Sequence, residues 1–234
     1  MADSRGATLT RAGWSRGARA VLPLCAFVFV LGATFGVAAR QAGLSPGLAT
    51  LMSAAVFAGG AQFAALSLLG PPPLIIPLLL GTLAINARHL LLGASLSPWL
   101  ASLPLWQRLG SITVLSDVNW AQAMRAHAAG ERDAGVLVGA GVMMWMVWVL
   151  ATWFGALATQ AVPDVRRFGL DALLLGFFAA ALADGWRGRG DVPAAVSAAV
   201  TTVIAGELGA REWSVIAGAL AGAAAGTWND ENTR

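Results

Sequence analysis

The sequence predicts an all-α fold, a polytopic membrane helix bundle of about seven to eight transmembrane helices with the second and third discontinuous. Three observations predict it. Hydrophobic residues fill 57% of the 234 positions and charged residues only 12%, whereas charged residues make up about a quarter of a soluble domain. The apolar residues are gathered into runs close to the ~20 residues that a bilayer helix needs. Short Arg-, Pro- and Gly-bearing turns separate the runs. The organisation that follows is a basic cytoplasmic segment (1–20), one transmembrane domain (21–228) and a short C-terminal tail (229–234).

The first run, 21–39, follows Arg5, Arg11, Arg16 and Arg19, the positive flank expected of a cytoplasmic N-terminus. A secretory signal peptide, with its apolar region at 21–31 and small residues at Ala38 and Ala39, is the alternative. Gly32 and Gly36, at the Gly-x-x-x-Gly spacing of a closely packed helix, favour a retained first span. The second run, 47–69, is interrupted by Ala58-Gly59-Gly60-Ala61-Gln62, with Gly59 and Gly60 as the expected helix break. Pro71-Pro72-Pro73 then forces a turn. The third run, 74–96, holds Pro77, Gly81 and the polar quartet Asn86-Ala87-Arg88-His89. Two consecutive interrupted spans resemble the broken helices that build transporter sites, because broken backbone is tolerated only against a cavity or protein.

A fourth helix is expected at 109–124, with Ser111, Thr113, Ser116, Asp117, Asn119 and Gln122 making a polar face turned into the bundle. Arg125, His127, Glu131, Arg132 and Asp133 read as a charged loop, and 135–157 as the cleanest span. Three small-residue-rich runs follow at 165–183, 192–208 and 213–228, with Asp171 and Asp184 as interfacial caps and Glu207 and Arg211 as a span-end pair. Gly218, Gly222 and Gly226 form a ridge for tight packing, within the chain or against a second subunit. Counting the loops alternately puts nine Arg inside and five outside, which supports a cytoplasmic N-terminus.

All fifteen basic residues are Arg. They are scattered over the N-terminus and turns and form no basic stripe interleaved with aromatics, which excludes nucleic-acid binding. The single Cys25 supports no internal disulfide and reads as a packing residue. No paired-Cys or His-Glu-x-x-His metal motif and no Gly-x-Ser-x-Gly elbow occurs, so neither metal nor cofactor is implied. Ser95 and His89, six apart on a helix, diverge, which argues against an intramembrane hydrolase.

The quartet carries the functional signal. A guanidinium at the centre of a bilayer helix costs about 2.5 to 3.5 kcal/mol on the mildest scale, so Arg88 must face a polar cavity or a partner. On a regular helix Asn86 and His89 share a face and Arg88 points elsewhere, so all three serve one site only if the helix unwinds there. Asp117 is the expected counter-charge of Arg88. Gln62 offers a donor and an acceptor, to an amino or carboxyl group or to the backbone that the break frees. For each of these a buried packing network competes with a substrate or coupling site. His89 is the side-chain type that couples protons near neutral pH.

Ala58-Gly59-Gly60-Ala61-Gln62-Phe63 and Asn86-Ala87-Arg88-His89-Leu90-Leu91-Leu92-Gly93-Ala94-Ser95-Leu96 resemble the Ala-Gly-x-x-Gln-Phe and polar-x-Arg-His motifs of the AzlC-type branched-chain amino acid permeases. A third family segment, Leu-Thr-Asp-Glu before an aromatic, corresponds to Leu115-Ser116-Asp117-Val118-Asn119-Trp120, which keeps Asp117 and has Val118 at the Glu position. The resemblance covers about residues 20–228. It implies an inner-membrane exporter of valine-like amino acids working with a small AzlD-type membrane subunit, and carries over Gln62, Arg88, His89, Ser95 and Asp117 as site residues. A non-transporting assembly subunit that uses the Gly ridge is the reading from a different class.

Overall fold

The computed structural model describes residues 6–70, 74–159, 179, 183, 186, 188–209 and 211–232. Among these the secondary structure is helical, without strands. The run at 165–183 apart from residues 179 and 183, Asp171, Asp184, the prolines at 71–73 and the Arg211 side chain lie outside the described residues. The chain divides into two compact units, Met1–Gln62 with Asn86–Pro163 and Phe63–Ile85 with Asp164–Arg234. Among the described residues, three stretches are long and apolar enough to cross a membrane: Arg11–Gln41, Ile75–Leu100 and Gly135–Ala158.

In the first unit, α1 (Arg11–Gln41) and α8 (Gly135–Ala158) lie backbone against backbone. A Cβ on Gly17 would strike the Val136 carbonyl, one on Gly36 that of Thr152, and one on Gly155 that of Ala33; a Cβ on Gly32 would lie 2.9 Å from Ala151 Cβ. Contact positions rise together along both helices, so the two run parallel. Small residues permit this approach, and in lipid, where apolar burial adds little, close packing is what holds helices together. Phe29–Phe154 (6.4 Å, tilted) and Phe35–Trp148 (6.2 Å, stacked) flank the seam.

α1 starts ten residues ahead of the apolar run because Thr10 caps it, its hydroxyl accepting from Gly13 N at 3.0 Å. Asp133 then joins the starts of both helices. Its carboxylate accepts from the Thr10 backbone (3.0 Å), the Thr10 hydroxyl, the Gly135 backbone (2.9 Å) and Arg16 (3.4 Å). Arg16 also pairs with Glu131 at 2.9 Å. Burial pushes the Asp133 carboxyl up, but the Thr10, Gly135 and Arg16 donors outweigh it and hold it below the ordinary aspartate value. Glu131 is likewise lowered, first by the Asp133 backbone N–H.

The second run is interrupted, at Phe57–Ala58. α2 (Pro46–Val56) ends on Phe57 at φ 43, the one non-Gly residue with positive φ among those described. A continuous helix would bond Ala58 N to the Ala54 carbonyl; that carbonyl instead accepts from Trp145 Nε1 at 3.0 Å. Gly59 and Gly60 therefore open α3 (Gly59–Leu66) and are not the break itself. Gly59 is small because Trp148 Cη2 would lie 2.9 Å from a Cβ there.

The third run is not unwound. Between α4 (Ile75–Asn86) and α5 (Arg88–Leu100) stands the single residue Ala87, helical at φ −54 and ψ −29. Leu90 N bonds the Ala87 carbonyl at 3.0 Å, a tightened turn. Arg88 falls at the midpoint of the Ile75–Leu100 stretch.

The fourth helix expected at 109–124 is two helices. α6 (Leu105–Thr113) runs back along α5, with Arg108 donating to Ser97 Oγ at 3.3 Å and Gly93 facing Ile112. α7 (Asp117–Ala128) turns again and runs parallel to α5, through Arg88–Asp117, Ser95–Trp120 and Trp99–His127. Together they form a hairpin that enters and leaves at the Leu100 end of α5. The chain reverses because Ser116 and Asn119 form a capping box, and the buried Asn119 amide also donates to Val114 O (2.9 Å) and Leu137 O (3.2 Å). Arg125 and His127, expected in the loop, lie in the last turns of α7.

In the second unit, α9 (Val192–Glu207) and α10 (Arg211–Asn232) form an antiparallel hairpin. Gly222 meets Ala198, Gly226 meets Ala194, and Gly218 meets Thr202. The glycine ridge thus packs within the chain.

Substituting Gly155 by Leu must separate α1 from α8 and is expected to lower the stability of the detergent-solubilised protein by about 1 to 3 kcal/mol or more. Gly93→Ala, whose Cβ meets nothing closer than Ile112 at 3.9 Å, should leave it unchanged or raised; thermal unfolding of both variants measures the contrast. A carboxyl lowered in the fold contributes stability that is complete above its ordinary value and lost as pH falls through the lower folded value. Asp133→Asn should therefore cost about 1.5 to 3 kcal/mol at neutral pH, and the gap to the native chain should close below about pH 4 in a pH series of unfolding midpoints.

Candidate functional site

Two polar constellations lie within the first unit. The first is closed. Gln62, fully buried, accepts from Trp148 Nε1 (3.1 Å) on Oε1 and donates from Nε2 to Ser53 Oγ (3.0 Å). Because an indole N–H only donates, the amide orientation is fixed. Thr152 gives its one hydroxyl proton to the Trp148 carbonyl (2.9 Å), so across the 2.7 Å Ser53–Thr152 contact Ser53 is the donor. The bonds return to the residue they started from. Gln62, from the α2–α3 break, is thus held against α8.

The second constellation is open. Arg88 Nη1 lies 3.1 Å from Asp117 Oδ2, so the counter-charge read from the sequence is in place. The side chains are 40% and 46% exposed, at the midpoint of an apolar stretch where exposure to lipid tails is prohibitive. Arg88 Nε is buried without a hydrogen-bond partner, as are Asn86 Oδ1 and Gln122 Oε1. Such unpaired groups are rare in folded chains and each costs about 1 to 3 kcal/mol. Beside the ion pair, Ser95 Oγ donates to Leu92 O (2.7 Å) and accepts from Trp120 Nε1 (2.8 Å).

The residues singled out in the sequence are therefore not all gathered together. Arg88, Asp117 and Ser95 share the α5–α7 seam. Gln62, with Gly59 beside it, belongs to the α8 network, and Gly60 is buried in the first turn of α3. Asn86 and His89 lie on another side of the helix from Arg88, since Ala87 keeps the helical conformation, and His89 Nδ1 donates to the Asn86 carbonyl at 3.3 Å. Ser95 and His89 are both engaged elsewhere and form no dyad. From the sequence Asn119 and Gln122 are read only as members of a polar face turned into the bundle, and Trp120 only as the aromatic of the third motif segment; the Ser116-x-x-Asn119 spacing is the signal available for the cap.

Membrane-length apolar helices around an intramembrane ion pair define a polytopic helical membrane protein. Residues 23–162 match the family model described as AzlC protein, more than half of the chain. The chain belongs to that family, and with it to the membrane proteins of branched-chain amino acid transport. Comparisons with curated proteins and with solved structures gave no match.

Replacing Gln62 by Leu would strand the Trp148 indole and the Ser53 hydroxyl in a dry interior. The expected loss is about 2 to 4 kcal/mol, read from thermal unfolding; an unchanged midpoint would show the ring to be unimportant to the fold.

Proposed function

We propose that the chain is a secondary transporter of the inner membrane that exports branched-chain amino acids such as valine, as the large subunit beside a small AzlD-type membrane partner. The Arg88–Asp117 pair, half exposed at the midpoint of an apolar span, is the observation that carries this reading. Intramembrane ionisable groups mark transport pathways because only a polar path repays their cost. A zwitterion with a small aliphatic side chain suits paired charges set among apolar residues. Membership of the AzlC family supports the amino-acid class.

Arg11, Arg16, Arg19, Arg125 and Arg132 gather where α1 and α8 begin, which supports a cytoplasmic N-terminus. In a single transmembrane domain over 21–228, the seven to eight apolar segments include half-length ones such as α2, α6 and α7. Gln62, Asn86 and His89 act outside the ion pair, the first by holding the α2–α3 break to α8. Transport rather than catalysis is the role of the site. The glycine ridge of α10, on which a purely structural subunit reading rested, is filled by α9.

Arg88→Ala is expected to reduce valine efflux from loaded cells to background while the protein still reaches the membrane at normal abundance. Native efflux rates in that variant would remove Arg88 from the pathway.

A further inference from the structure

The segment ahead of α1 lies across the base of the α6–α7 hairpin. Its residues alternate: Ala7 and Leu9 are partly buried, while Gly6, Thr8 and Thr10 are exposed, as in an extended chain with one face down. The inward pair packs on the apolar cluster where Leu100 of α5, Leu103 of the turn after it, Leu115 and Ala123 of the hairpin and Leu137 of α8 meet. The backbone holds both feet of the hairpin. At the foot that enters α6, Ala7 N–H donates to Ser102 Oγ at 2.6 Å. At the foot that leaves α7, Thr8 N–H donates to the Arg132 carbonyl (3.1 Å) and the Thr8 carbonyl accepts from Ala134 N–H (2.8 Å), a parallel bridge between Thr8 and Asp133. Trp99 Nε1 reaches the same Arg132 carbonyl, at a long 3.4 Å.

We propose that residues 7–9 are a releasable strap across the seam between α5 and α7. Bound, the strap keeps the two feet together and closes the seam at the Leu100 end of α5; released, it lets α5 and the hairpin part there and admits water towards the Arg88–Asp117 pair. The strap can peel because its own hold is slight. Three backbone hydrogen bonds and two partly buried side chains secure it, and the Ala7–Ser102 bond is exposed to water that can replace it. Thr10, by contrast, is fixed to the Asp133 carboxylate that also holds the first turn of α8, so it is the hinge. The seam beneath is suited to opening. It consists of the Arg88–Asp117 pair, the Ser95–Trp120 hydrogen bond and the Trp99–His127 stack, and its polar contacts can be exchanged for contacts with water. The hairpin tip stays tied to α8 through Asn119 and the Leu137 carbonyl, so the movement is of α5 and its turn away from α7. That the seam is a transport path rests on the reading above; the clamp on the hairpin does not.

A reversible lock tests the strap within one folded protein. A Cβ on Gly6 would lie 2.5 Å from Ser102 Cβ, nearer than the ~3.8 Å between the β-carbons of a disulfide. The exposed Gly6 end therefore needs only a small outward shift for Gly6→Cys and Ser102→Cys to bridge, and Cys25→Ala removes the one native thiol. The full-length chain is compared after oxidation with copper phenanthroline and after reduction with dithiothreitol. In lipid nanodiscs the backbone amides of residues 114–124, away from the cross-link, should exchange hydrogen about fivefold or more slowly when locked. In membrane vesicles valine efflux should fall by about fivefold or more. Reduction should restore both.

Equal exchange in the locked and unlocked states overturns the proposal, because the segment is then a fixed part of the fold. So does slower exchange with undiminished valine efflux, which would mean that the hairpin's opening does not control access to the ion pair. A chain that exports no valine in either state, yet whose 114–124 amides slow on locking, overturns the transport reading and supports the clamp.

Discussion

The rest of the first unit depends on the contact between α1 and α8. Their backbones touch at Gly17, Gly32, Gly36, Gly139 and Gly155, and a side chain at any of these positions would force the helices apart. Because the two run parallel, their first turns lie together, and one carboxylate, Asp133, serves both. The same seam leaves the Trp145 and Trp148 indoles on α8 free to reach α2 and α3, where one takes the Ala54 carbonyl and the other the Gln62 amide. The broken helix is therefore docked by side chains of α8 rather than held by its own backbone. Loss of the α1–α8 approach would unseat three elements at once.

Hydrocarbon tolerates no unpaired polar group, and the chain meets that constraint in two opposite ways. Around Gln62 every donor finds an acceptor, the residues are buried, and the product is a rigid joint. Around Arg88 the accounting is left incomplete: a buried N–H stays unpaired and half of the ion pair is open. A satisfied network fixes geometry, whereas an unsatisfied one keeps free energy available for a ligand that completes it. This contrast, more than residue type, separates the two sets of polar residues that the sequence presents alike.

The all-helical class, the limits of the 135–157 span and the partner of Arg88 were legible because each follows from composition, hydropathy or a single unmatched charge. The reach of Gly32 and Gly36 was legible from spacing, although their partner, α8, was not. What escaped reading depends on local hydrogen bonds between distant residues. Phe57, not Gly59 or Gly60, takes the left-handed conformation, since Trp145 compensates the carbonyl freed there. The 109–124 run looked continuous because its break at 114–116 carries no glycine or proline, and the cap that ends it, Asn119, is anchored on Leu137 across the fold. The Arg-His motif looked like a place to unwind, yet Ala87 remains helical, which parts Arg88 from Asn86 and His89.

That last departure bears on how a charged pair comes to exist at this depth. With α5 essentially continuous, Arg88 can be met only from a neighbouring element, and a helix crossing the whole bilayer would bring an acid to its level in mid-helix, where its backbone groups are already bonded. The α6–α7 hairpin offers a different route. Its tip reaches the level of Arg88 and α7 begins there, so Asp117 sits in a first helical turn, where backbone N–H groups and the helix dipole favour a negative charge. The acid is stabilised by the helix it starts as well as by its partner. A half-length helix beginning beside the cation is thus what allows the pair to be both intramembrane and open.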